Sequence, residues 1–154
     1  MSLKLRSINV AILALISANL AMAEPVSKAP AFAIAATDTQ VEWGPCPSFM
    51  PEGCGLAVLH GDPASPNADV FLKVPAGQMI PHHWHTSAER MVLISGELEV
   101  AYDGQQPATL TAGMYAYGPA KLAHTAICAK YEPCILFIAF EGPVDAVPTA
   151  DSKE

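Results

Sequence analysis

From Gly55 to Gly142 the chain never runs far without a turn signal. "GLAVLHG" ends at "DPASPN", "ADVFLKV" at "PAG" and "ERMVLI" at "SGE". "LEVAY" stops at "DG", "ATLT" at "AG", "MYAY" at "GPA", "LAHTAICAK" at "YEP" and "CILFIAF" at "EGP". Glycine and proline break helices, and with Asn and Asp they supply reverse turns. No window free of them carries apolar residues at i, i+3, i+4 and i+7, so no helix of ordinary length is predicted. Eight short β-like runs at close spacing predict an all-β sandwich or barrel. In "LEVAYDG", Leu98 and Val100 alternate with Glu99 and Ala101, as in a strand with one covered and one wetter face. The "DG" turn at 103–104 closes that strand, and the region is read as scaffold.

At 154 residues the chain suits one domain. Its start reads as a secretory signal over 1–23. Lys4 and Arg6 precede an apolar stretch from Ile8, and "AMA" at 21–23 supplies small residues for cleavage. Val10 to Ile16 is too short to span a bilayer and is followed by Ser17 and Asn19. Export to the periplasm or medium is therefore expected, with no stable membrane anchor after cleavage. Residues 24–39, rich in alanine and proline, read as a flexible leader. Residues 40–142 read as the folded domain, and 143–154 as a mobile tail.

The formal charge is −7. Two of the basic groups, Lys4 and Arg6, leave with the signal while no acidic group does, so the exported part is more acidic still. Such a surface repels phosphate backbones and anionic lipid, which argues against nucleic-acid and peripheral membrane binding. The four cysteines, Cys46, Cys54, Cys128 and Cys134, are an even set in an exported chain, which favours disulfides. Three pairings are possible, and sequence proximity favours Cys46–Cys54 with Cys128–Cys134. These spacings do not match a zinc ribbon.

"PHHWHTSAER", residues 81 to 90, crowds three of the five histidines beside a glutamate. In a strand, residues i and i+2 share a face, so His83 and His85 can grip one ion. If "TSA" is a hairpin turn, Glu89 returns beside them, and His124 in "LAHTAICAK" can supply a third imidazole. Three neutral imidazoles and a carboxylate suit a first-row divalent metal and leave positions for water or substrate. A lone histidine in a β-protein is more often a surface or hydrogen-bonded residue, as expected of His60 in "LHGDP". The His-x-His spacing alone leaves metal and structural readings evenly matched.

The surrounding residues add a resemblance. "GQMIPHHWHTSAERMVLISG" reads as Gly77, five residues, His83, one, His85, three, Glu89, six, Gly96. "GMYAYGPAKLAHTAIC" reads as Gly113, five residues, Pro119, four, His124. These resemble the two motifs of the cupin superfamily, and the chain from Trp43 to Glu141 resembles a small single-domain exported cupin. Lys121 stands where the second motif has a glycine, and Cys128 where it has an asparagine. The resemblance implies a double-stranded β-helix (jelly-roll-like) barrel with His83, His85, Glu89 and His124 as metal ligands.

His82 neighbours a ligand and so faces the other way in a regular strand; a bulge would turn it toward the site. Pro81 cannot donate a ladder hydrogen bond, which suits an irregular strand end. Ala126 and Cys128 share the face of His124, and Met91 and Leu93 that of Glu89. Met79, Tyr115 and Tyr117 offer a possible apolar and aromatic pocket wall, with ordinary packing the alternative. Arg90 should face away from Glu89.

The ion is a divalent transition metal: zinc, copper, manganese, iron or nickel. "MSLKLRS" lacks a twin-arginine pair, so the chain would leave unfolded and acquire metal outside, where affinity order favours copper and zinc. The first functional reading is a metal-dependent oxidoreductase, dioxygenase-like, acting on a small organic molecule, with Glu89 doubling as proton acceptor. Isomerases, decarboxylases and lyases share the scaffold implied. The competing reading is a non-catalytic binding module or sensor for a metal or small ligand, and a third is a structural metal that staples the barrel. Exposed strand edges make a homodimer an open possibility.

Overall fold

The computed structural model describes residues 30–150. The signal sequence expected over 1–23 lies outside the described residues. A compact unit begins at Ala33, and it carries every strand. No helix among the described residues is long and apolar enough to cross a membrane.

The eight turn-bounded runs are all strands. They form β2 (Gly55–His60), β3 (Asp69–Val74), β5 (Glu89–Ser95), β6 (Glu97–Tyr102), β7 (Ala108–Thr111), β8 (Tyr115–Gly118), β9 (His124–Cys128) and β10 (Cys134–Phe140). Three more complete the set: β1 (Gly44–Pro45), β4 (Met79–Trp84) and β11 (Val147–Pro148). β4 escapes a turn-to-turn reading because its "MIPHHW" carries a proline and two histidines instead of alternating apolar residues. All strand pairs are antiparallel. One sheet runs β1-β2-β3-β10-β5-β8 and the other β11-β4-β9-β6-β7. From β3 to β11 the chain changes sheet at every connection except the β6–β7 hairpin. That is the double-stranded β-helix of a cupin barrel.

Strict alternation stacks the interior in levels, two residues or about 7 Å apart along each strand. At one level Glu89 pairs with Phe140 and Gly118, while in the facing sheet His124 pairs with His83 and Tyr102. At the next, Met91 pairs with Ile138, and Ala126 with Ile80 and Val100. At the third, Leu56, Leu72, Leu136 and Leu93 form a row opposite Leu98 and Cys128. Leu93, Leu98, Leu136 and Cys128 are among the most fully buried side chains. From that level Cys128 bonds across the two sheets to Cys134, which lies one level further along. Gly96, with φ at 82°, leaves room for this cystine, since a Cβ there would lie 2.9 Å from the Cys134 sulfur.

The second disulfide joins Cys46 to Cys54, so the proximity pairing is the observed one. Two cystines fit an oxidising environment.

Both ends of the domain are tied down further than their composition suggests. Ile34 and Ala36, within the expected flexible leader, pack against Val41, Ala57 and Phe71 on the outside of the six-stranded sheet. Residues 143–150, expected to be mobile, lie along β4: Val147 pairs with Trp84 and Pro148 with His83. The Val144 amide donates to the Pro63 carbonyl and the Thr149 amide to that of His82. Main-chain hydrogen bonds and isolated polar side chains, Asp145 and Thr149, hold this segment, and they leave no apolar periodicity to read.

Candidate metal centre

β4 carries His83 through an irregularity, and His85 follows just past its end. Ile80 pairs with Ala126 and His83 with His124, so three steps on β4 match two on β9. The extra residue falls at Pro81–His82, where a missing N–H makes a bulge inexpensive. It brings Ile80 and His83 to the same inner face although they are an odd number apart; both are buried. His82 is turned outward, with Nε2 2.9 Å from Asp103 Oδ1 and Nδ1 3.0 Å from Thr149 Oγ1. It does not enter the site.

The expected β4–β5 hairpin is absent. β4 belongs to the five-stranded sheet and β5 to the six-stranded one, so Thr86 to Ala88 cross from sheet to sheet. Alternation specifies which face a residue shows, and not which strand lies beside it. Glu89 thus meets the histidines from the opposite wall, and the four residues surround a point instead of lining one ribbon.

His83, His85 and His124 are buried, and one ring nitrogen from each lies within 4.8 Å of the others. Their ring centroids are 4.3 Å (His83–His124), 4.9 Å (His83–His85) and 5.4 Å (His85–His124) apart. Each ring is held from behind by a carbonyl oxygen on Nδ1. These are Pro81 for His83 at 2.8 Å, Leu122 for His124 at 3.4 Å and Asp145 for His85. A carbonyl can only accept, so Nδ1 keeps its proton in each ring, and the neutral ring presents its lone pair at Nε2. Asp145 is braced in turn, its Oδ1 accepting the Thr86 amide at 3.0 Å.

Glu89 is 3% exposed, with its carboxylate oxygens 3.6 Å from His85 Nε2 and 3.7 Å from His124 Nε2. Burial raises its pKa, opposed by His85 and by the Tyr102 hydroxyl. Burial and the other imidazoles lower His83 to about 4 and His124 to about 3. At neutral pH the His83 and His124 rings are therefore uncharged, and the buried Glu89 carboxylate lies beside them. A divalent cation answers that arrangement, and the three histidines can hold one.

Tyr102, placed in the scaffold by its sequence context, belongs to the site. Its ring lies 4.6 Å from that of His124, and its hydroxyl 3.5 Å from Glu89 Oε1. Burial, then the Glu89 charge, push its pKa up. The signal was parity: Tyr102 continues the inward series Leu98, Val100. Met79, Tyr115 and Tyr117 do not form a pocket wall, being 51%, 58% and 51% exposed on the outside. Arg90 faces away from Glu89 and pairs with Glu141 at 2.6 Å.

A cavity of about 120 Å³ adjoins the site. Met91, Ala126 and the third-level leucines Leu72, Leu98 and Leu136 line its depth, and Cys46, Pro47, Met50 and Val144 to Ala146 its remaining wall. Phe49, in the loop closed by Cys46–Cys54, sits 5.9 Å from the His83 ring. Lys121, at the glycine position of the second motif, adopts φ of 62° and donates its amide to the His85 carbonyl at 2.8 Å. The turn keeps the conformation a glycine would give it.

The model of the ChrR cupin-like domain family matches residues 32–145. The chain belongs to this cupin family. No curated protein matches it by sequence. Among solved structures, an RmlC-like cupin from Shewanella frigidimarina is 24% identical, with a TM-score of 0.56, over 68% of this chain and 86% of that one. The DMSP lyase DddQ from Ruegeria pomeroyi is 21% identical, with a TM-score of 0.62, over 74% and 64% of the two chains. The Rhodobacter sphaeroides complex of SigE with the anti-sigma ChrR gives 22% identity and a TM-score of 0.51, over 66% of this cupin and 50% of that chain. At these identities the likeness is one of fold.

Proposed function

We propose that this cupin binds one divalent transition metal through Nε2 of His83, His85 and His124 and the carboxylate of Glu89. We propose further that it acts there on a small organic molecule as a dioxygenase-like oxidoreductase. The observation that carries the reading is the meeting of three lone pairs and a buried carboxylate at one level of an otherwise apolar cavity. When bound, the ion supplies Lewis acidity and activation of dioxygen or the organic ligand. The protein's part is to hold the three rings in one tautomer, exclude water with the apolar walls, and keep Glu89 next to the Tyr102 hydroxyl. Glu89 is the group placed to accept a proton from a ligand entering the site.

Export, supported by the two cystines and by the sequence of residues 1–23, places metal capture outside the cytoplasm and favours zinc or copper. Elemental analysis of the protein purified from its native compartment, with an untargeted metabolite screen, tests both parts. Bound copper and a substrate oxidised by wild type but not by His124→Ala support both parts, whereas bound zinc, which has no redox chemistry, supports the metal centre and counts against the oxidoreductase. Predominant iron or manganese counts against capture outside.

A second reading, a non-catalytic sensor, is favoured by the family match and by the solved complex of ChrR with SigE. It predicts ligand-dependent stabilisation with no compound transformed in the same screen.

A further inference from the structure

The cavity is polar at one level only. His83, His85, His124 and Glu89 crowd the first level, and the second and third present Ile, Val, Leu, Met and Ala side chains. None of the lining residues is a lysine or arginine. The one other charged group, Asp145, already accepts the Thr86 amide. A divalent ion with three neutral imidazoles and one carboxylate keeps one positive charge, which takes one anionic or strongly polar head group. A second such group has no partner in this chamber, and burying a polar group unpaired costs on the order of 2–7 kcal/mol, a charge more. The volume of about 120 Å³ is near the roughly 150 Å³ of a dry apolar cavity that takes benzene.

We infer that the ligand is a compact molecule with a single oxygen head group and an otherwise apolar body, of the phenol or enol class. Amino acids, dicarboxylates and sugar acids are excluded. The inference rests on the metal centre proposed above and narrows it to a substrate class.

The test uses the full mature chain loaded with zinc, whose stoichiometry is measured first, and titrates it calorimetrically with 4-methylphenol and 4-hydroxybenzoate. The two differ by a methyl against a carboxylate opposite the hydroxyl. Whichever end of 4-hydroxybenzoate meets the ion, the other is left among the leucines. At least tenfold tighter binding of 4-methylphenol is expected, and Leu72→Lys, which places a cation at the third level, should narrow or reverse that preference. Equal or tighter binding of 4-hydroxybenzoate to the wild type, no binding of 4-methylphenol, or an undiminished preference for 4-methylphenol in folded Leu72→Lys overturns the inference while leaving the metal centre standing. Absence of bound zinc overturns both.

Discussion

Gly118 lies directly across the β5–β8 pair from Glu89, and a Cβ on it would come within 2.7 Å of the glutamate's Cγ and Oε1 and 2.5 Å of the Tyr102 hydroxyl. The missing side chain is what gives the buried carboxylate and its tyrosine their space. Gly118→Ala should therefore push Glu89 out of position while leaving the strands intact. We expect at least a tenfold loss of metal affinity by competitive chelation, with an unchanged β-sheet circular dichroism spectrum. Unaltered affinity would show that Glu89 does not need its present position.

The titrating groups oppose one another in the metal-free protein. His83 and His124 are held at about 4 and about 3, below their ordinary 6.5. As pH falls below 6.5 the unfolded chain takes up protons that the folded one refuses, so stability drops toward pH 4. The slope reaches about 1.4 kcal/mol per pH unit for each group. Glu89, raised above its ordinary 4.5, acts in the other sense. The unfolded carboxyl ionises first, so its contribution is lost as pH rises above 4.5. Glu89→Gln removes only the second effect. Metal-free Glu89→Gln should be more stable than wild type at pH 7 and show a steeper rise of stability with pH between 4.5 and 6.5, read from urea unfolding. Its metal affinity should nevertheless fall at least tenfold.

Lys121 occupies the left-handed region, which costs a residue with a Cβ roughly 1–2 kcal/mol. Glycine relieves that strain but gains freedom in the unfolded chain. The net expectation for Lys121→Gly is a gain of about 0.5–1 kcal/mol and a melting temperature higher by a few degrees. Calorimetry showing a lower value would mean that the lysine side chain contributes more than its backbone costs.

Much of this barrel can be read from residue order, and the failures share a cause. Turn residues delimit eight strands because Gly, Pro, Asn and Asp dominate local conformation. Parity places Leu98, Met91 and Ala126 on inner faces, where they are found. What parity does not carry is strand adjacency. Glu89, expected beside His85 in a hairpin, instead reaches it from the opposite sheet. Tyr102 is placed on the inner face by parity with Leu98 and Val100, but its pairing with His124, 22 positions away, is not marked in the local sequence. Residues 143–150 read as loose because their ties to β4 are backbone pairings and the single Thr149 hydroxyl, neither of which makes an apolar pattern.

The loop closed by Cys46–Cys54 covers part of the cavity and brings Phe49 to His83. Replacing both cysteines by serine releases a loop-closure constraint worth roughly 2–3 kcal/mol for so short a ring. Thermal unfolding should move down accordingly, and hydrogen exchange should rise in residues 46–54 and at the β4 amides near His83. Exchange confined to the loop itself would show that it does not support the site.

X-ray absorption at the edge of the bound metal tests the central assignment most directly. Three imidazole nitrogens and one carboxylate oxygen are expected at about 2.0–2.2 Å, with no sulfur among the ligands, and His124→Ala should lose one imidazole. A sulfur ligand, or a spectrum that His124→Ala leaves unchanged, would place the ion elsewhere and contradict the assignment.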